Sequence, residues 1–178
     1  MIVSPGLRRA ALVAHVATSV GWLGAVAAFL ALAIAGQTSA DAVIVRAAYV
    51  AMDLITWFVI VPLSIASLLT GVLQSLLTKW GLFQYSWVVA KLALSTVATV
   101  VLLIKTQPIT HVATAAAQTV LSSADYHQLR TELLVHAGGG LVLLLAISTL
   151  SVFKPWGRTR YGRRALEERQ SRATALRV

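Results

Sequence analysis

His15 and Lys91 are two side chains with usable lone pairs that fall at one depth in this sequence. Lys91 stands five residues past Ser86, where its helix begins, so at about 1.5 Å per residue it lies about 7–8 Å along that helix. His15 stands six residues past Arg9 and is reached from the same side. His15, Ser19 and Trp22 recur at i, i+4 and i+7, one face of a helix. Gly21 and Gly24 beside them permit close approach of a backbone or of a flat ligand. A neutral imidazole facing an unprotonated amine can bind a metal from both sides, a haem iron included. Arg8, Arg9 or Lys79 could then meet acidic groups of the ligand at the interface. Competing readings stand beside this one. Lys91 can snorkel its ammonium to lipid headgroups or handle protons, and His15 can be a hydrogen-bonded packing residue.

A second, weaker set lies towards the other end. Glu132 and His136 are i, i+4 on one helix, with Asp125, His127 and His111 nearby. Carboxylate and imidazole on one face can hold zinc or copper(II), or relay protons. The competing reading is solvated residues with an ion pair between Glu132 and Arg130. His15 and His136 enter their helices from opposite sides, so they do not share one iron. Asp53 reads as a first-turn acid of its helix.

Four apolar stretches must position these groups. Residues 10–40, 54–78 and 133–153 contain no Asp, Glu, Lys or Arg, and 80–104 contains only Lys91. About 20 apolar residues of helix cross a bilayer core. An ionisable residue inside such a stretch is costly and is a functional hypothesis by default. Hydrophobic residues make up 58% of the 178-residue chain and charged residues 12%, with mean hydropathy +0.80. That excludes a water-soluble domain, for which charged residues run at about 25%. The absence of cysteine excludes disulfides, thiolate metal sites and redox thiols.

The net charge of +9 is unevenly placed. Arg8, Arg9, Lys79, Lys154, Arg158, Arg160, Arg163, Arg164, Arg169, Arg172 and Arg177 share one side of an even-numbered bundle. Arg46, Lys105 and Arg130 fall on the other. The positive-inside rule puts both termini in the cytoplasm, in a plasma (inner) membrane. The tail 154–178 then reads as a partner for anionic lipid headgroups, at about 1 kcal/mol per basic residue near the surface. Nucleic acid is not indicated as a partner, since no recognition fold accompanies the charge. The apolar run from Ala10 to Gly36 exceeds the 7–15 residues of a signal-peptide core and reads as an uncleaved first helix.

The sequence therefore predicts an all-α polytopic membrane protein, a four-transmembrane-helix bundle in one domain (1–153), followed by a basic cytoplasmic tail (154–178). The spans fall at about 10–35, 52–78, 86–106 and 130–153. Ser4-Pro5-Gly6 opens the first helix, and 36–48 is an outer connection. Pro62 kinks the second helix. Residues 79–86 form a short inner loop, with Trp80, Tyr85, Trp87 and Trp156 as an aromatic belt. The third helix stops before Pro108, and 109–121 is a partly helical outer connection. Ser122 or Ser123 caps the last helix, with Asp125 in its first turn. Gly138-Gly139-Gly140 reads as a close-packing or dimerisation face.

With the helices laid out, the pattern His15-x3-Ser19-x2-Trp22-x-Gly24 resembles the opening of HemJ-type protoporphyrinogen oxidases and CopD-type copper-resistance membrane proteins. Thr70-Gly71, Trp80-Gly81 and Trp87-Val88-Val89-Ala90-Lys91-Leu92 are similar to their second and third helices. A group of small bacterial four-helix membrane proteins is more similar still. Its members share the stretch from Leu69 to Leu103 and the ending from Leu150 to Thr159. The HemJ likeness implies haem b held by His15 and Lys91. The chain lacks the Pro-Arg-Leu-Phe and Asn-Glu-x-Pro segments of HemJ-type proteins, so the resemblance reaches haem binding rather than porphyrinogen oxidation. Copper(I) favours Met and Cys, and only Met1 and Met52 are present.

Two functions are thus expected from different classes. One is a b-type haem redox protein or oxidoreductase with His15 and Lys91 as axial ligands. In it Ser19 and Trp22 line the site, and Arg8, Arg9 or Lys79 meet the propionates. The other is a non-catalytic membrane subunit, homodimeric or within a complex; a small-molecule or metal transport component is the remaining alternative.

Overall fold

The computed structural model describes residues 4–78, 81–118 and 124–175, without the side chains of 124–126, 169 and 173. The expectations for Lys79, Trp80, Ser122, Ser123 and Arg177, and for the side chain of Asp125, lie outside the described residues. Helix α1 is Pro5–Thr38 and α2 is Ala42–Leu77, followed by α3 (Ser86–Ala117), α4 (Ala124–Phe153) and α5 (Arg160–Ala175). The described residues contain no strand. The first four helices are long and apolar enough to cross a membrane, making this a multi-pass, all-α membrane protein. Only 17–28% of each apolar window is buried in the chain itself, so most of each window faces outward from the bundle.

Both ends of α1 follow from local chemistry. The Ser4 hydroxyl accepts from the Leu7 N–H, and Pro5 takes a first-turn position where its missing N–H costs nothing. The expected outer connection 36–48 shrinks to Ser39, Ala40 and Asp41. Asp41 caps α2 by accepting from the Val43 N–H at 2.8 Å, which starts the helix earlier than the apolar run suggests. Within α2 a π turn, Thr56–Ile60, precedes Pro62, and the Val61 N–H bonds to the Thr56 carbonyl. The extra residue in that turn accommodates the proline ring without ending the helix.

The third helix does not stop before Pro108. It runs to Ala117, because Ile109, Val112 and Ala116 join the core built by Trp22, Phe29, Tyr49, Met52 and Leu133. Burial of these side chains outweighs one lost backbone bond. Asp53 likewise lies well inside α2 rather than in its first turn, and its carboxylate accepts from the Thr110 hydroxyl at 2.7 Å.

The two ends of the bundle differ. At the far end, away from both termini, α1, α2 and α4 are clamped by Arg130, which donates to the Tyr49 hydroxyl at 2.9 Å and to the Gly36 carbonyl. A Cβ on Gly36 would stand 2.8 Å from the Tyr49 ring, so any larger residue must displace that ring. At the tail end the chain after α4 reverses through Lys154 and Trp156, both at positive φ, to reach the loop before α3. There the Thr159 N–H bonds to the Gln84 carbonyl at 3.0 Å and its hydroxyl to that of Phe83 at 2.6 Å. Trp156 is exposed, but Trp87, expected beside it in an aromatic belt, is 9% exposed and turned into the bundle.

Candidate functional site

A cavity of about 500 Å³ opens between all four spans in the tail-end half of the bundle. From α1 come His15, Ser19 and Trp22, the face expected from their spacing. From α3 come Trp87, Lys91 and Ser95. The first turns of α3 thus bring the lysine to the same space as the histidine. Helix α4 contributes Leu144, Ser148 and Ser151, and Lys154 stands beyond its end. A volume of this size suits a cofactor-sized ligand.

The second helix supplies lining residues that the sequence reading, which singled out only Thr70-Gly71 there, missed. Ser67, Thr70, Gly71, Gln74, Ser75 and Thr78 recur at three- and four-residue spacing, a polar stripe on an otherwise apolar helix. Five of the six line the cavity, and the sixth, Thr70, holds the histidine. The signal was legible as periodicity, but in polar rather than apolar residues.

This stripe fixes His15. Its Nδ1 lies 3.2 Å from the Ser67 carbonyl oxygen and 3.2 Å from the Thr70 hydroxyl oxygen. A carbonyl can only accept. The Thr70 hydroxyl gives its proton to the Ala66 carbonyl at 2.6 Å, leaving its oxygen as an acceptor too. Both partners therefore require the proton on Nδ1, so the neutral ring carries its free lone pair on Nε2. Among the described residues Nε2 has no hydrogen-bond partner. A backbone carbonyl holding one ring nitrogen while the other is left bare is the usual arrangement of a metal-bound histidine.

The ring has little freedom. A Cβ on Gly71 would approach His15 Cε1 to 3.0 Å, and the Ser19 and Ser67 hydroxyls bond at 2.8 Å beside it. Gly21 meets Leu63, whereas a Cβ on Gly24 would meet nothing within 4 Å, so Gly24 marks no close approach. Most hydroxyls around the cavity are satisfied on their own helices, as Ser75 is by Gly71 at 2.9 Å and Ser148 by Leu144 at 2.9 Å. Gln74 Oε1 and Thr78 Oγ1 are buried without a partner among the described residues. Unsatisfied polar atoms of this kind ask for a ligand or ordered water. Lys91 Nζ likewise makes no hydrogen bond or ion pair among the described residues. Arg8 and Arg9 are exposed and do not line the cavity; Lys154 does.

At the far end the expected Glu132–Arg130 pair is not formed. Arg130 is engaged with Tyr49 and Gly36, and Glu132 pairs with Lys105 of α3. His136 Nδ1 donates to the Glu132 backbone carbonyl at 2.7 Å, not to its carboxylate. Among the described residues no group of three or more His, Cys, Asp or Glu is placed to hold a metal ion. A Cβ on Gly138 or Gly139 would meet nothing within 4 Å, so these two are not a close-packing face within the chain.

No family model matches this chain, and neither a curated protein nor a solved structure matches it.

Proposed function

We propose that the tail-end cavity is a b-type haem site in a bacterial inner-membrane redox protein, with both termini cytoplasmic and the basic tail on anionic headgroups. The observation that carries this reading is the Nδ1 contact of His15 with the Ser67 carbonyl, which leaves Nε2 bare in a cavity that Lys91 also lines. Haem, when bound, supplies one-electron redox chemistry. The residues of the chain supply its setting. His15 Nε2 and Lys91 Nζ would hold the iron, and Ser67 and Thr70 hold the imidazole proton and orientation. Trp22, Trp87 and Leu144 give apolar walls. Lys154, which lines the cavity, is the cation placed to meet acidic groups of the ligand. Gln74 Oε1 and Thr78 Oγ1 are the positions where polar groups of the ligand, or water beside it, find partners.

The test is a dithionite-reduced minus oxidised absorption spectrum of purified protein made under haem-sufficient expression, beside His15→Ala and Lys91→Ala. The reading requires a Soret band and sharpened reduced bands in the wild type, lost or altered in both variants. A colourless, folded wild type would remove it.

A second reading, a non-catalytic subunit packing a partner helix on α4, draws on the open space over Gly138 and Gly139 beside exposed Val135 and Val142. A colourless protein that co-purifies with a stable membrane partner, released by Gly138→Leu, is its signature.

A further inference from the structure

A second cavity of about 310 Å³ lies in the far-end half of the bundle, beyond the one already described. Trp22 and Leu144 line both, so the two spaces stand end to end with these side chains as the partition. The walls of the second are apolar, with Lys105 and His136 the ionisable groups among its lining residues. Val97, Val101 and Val135, which also line it, are exposed on the flank between α3 and α4. That flank lies within the spans, so a molecule reaches the cavity from lipid rather than from water.

The polar rim is selective. The Lys105 ammonium gives one proton to Glu132 and retains others to donate. Because the ion pair is neutral as a unit, it favours a neutral head over a carboxylate or phosphate. His136 donates from Nδ1 to the Glu132 carbonyl, so the neutral ring offers Nε2 as an acceptor. A donor and an acceptor at one rim match a hydroxyl, which accepts from Lys105 and donates to His136. The apolar body would then extend between α1, α3 and α4 towards Trp22.

We propose that this second cavity binds a membrane-dissolved molecule with one neutral hydroxyl head on an apolar body, of the alkylphenol or long-chain alcohol class. The site is distinct from the haem reading and stands without it.

The test is equilibrium partition of radiolabelled 4-nonylphenol, and separately of its methyl ether, between nanodiscs carrying the full chain and empty nanodiscs. Wild type shows a saturable excess of the phenol. The ether, which cannot donate, binds about fivefold more weakly, the effect of one net hydrogen bond. His136→Ala weakens the phenol by about the same factor and leaves the ether unchanged. Gly139→Leu fills the cavity from a position where a Cβ has nothing within 4 Å, and removes the excess. Equal binding of phenol and ether would mark a groove for acyl chains and overturn the proposal, as would the lack of any saturable excess. If Gly139→Leu does not fold, the phenol-to-ether ratio in wild type and His136→Ala decides.

Discussion

The imidazole of His15 is held from α2 by the main-chain carbonyl of Ser67, Nδ1 to oxygen at 3.2 Å, and this contact joins the two helices at the cavity wall. A backbone acceptor cannot be removed by substitution, so the tautomer it imposes is built into the fold. The second hold on the ring, from Thr70, and the gap left by Gly71 are accessible to mutation.

Gly71→Ala pushes a methyl group to 3.0 Å from His15 Cε1. The ring must turn or retreat, and Nε2 moves with it. Haem affinity is expected to fall about tenfold or more, the scale seen when a group that orients a metal-binding histidine is disturbed, while helical content by circular dichroism stays unchanged. Titration of the haem-free protein followed at the Soret band measures it.

Gly36→Ala sets a methyl group against the Tyr49 ring at the opposite end of the bundle. Overpacking there is expected to cost about 1–3 kcal/mol, read as a lower midpoint of thermal unfolding in detergent. Haem affinity should be unaffected, because Gly36 lies some twenty residues from His15 along α1.

Asp53 accepts from Thr110, whose oxygen in turn accepts from Trp57 Nε1 at 3.3 Å. Asp53→Asn keeps an acceptor oxygen and is expected to change stability little. Asp53→Leu leaves the Thr110 hydroxyl without its acceptor and is expected to cost about 1–3 kcal/mol. Denaturant unfolding, followed by tryptophan fluorescence, separates the two.

Gly162 lies so close to the Gln84 backbone that any Cβ would collide with it. Gly162→Ala is expected to detach α5 from the loop before α3 and to speed tryptic cleavage of the arginine-rich tail several-fold in zwitterionic nanodiscs. Anionic lipid should restore protection, since each basic residue near such a surface contributes about 1 kcal/mol. Equal cleavage in both lipids would count against a headgroup role for the tail.

The four-span bundle was legible in the sequence because charge is excluded from lipid, and the gaps between charges set the spans. The joint placement of His15, Ser19, Trp22 and Lys91 around one space was legible for a similar reason, since helical rise fixes depth and helical period fixes face. Helix ends were harder to read. Pro108 signals a stop locally, but Val112, fully buried at 0% exposure, shows tertiary packing carrying the helix on. Asp41 was a readable cap hidden within an apparent loop. The partner of Glu132 was not legible, because choosing Lys105 over Arg130 depends on how α3 and α4 pack. Trp87 was read as a belt residue from its position beside a loop; its inward turn depends on the helix phase set by the tail-end loop.

The most direct test of shared ligation is the electron paramagnetic resonance spectrum of the oxidised, haem-loaded protein, wild type beside Lys91→Ala. If His15 and Lys91 hold one iron, the wild type gives a low-spin signal, and Lys91→Ala, still holding haem through His15, gives a high-spin one. A low-spin signal unchanged in Lys91→Ala would contradict the account, as would a folded wild type that takes up no haem.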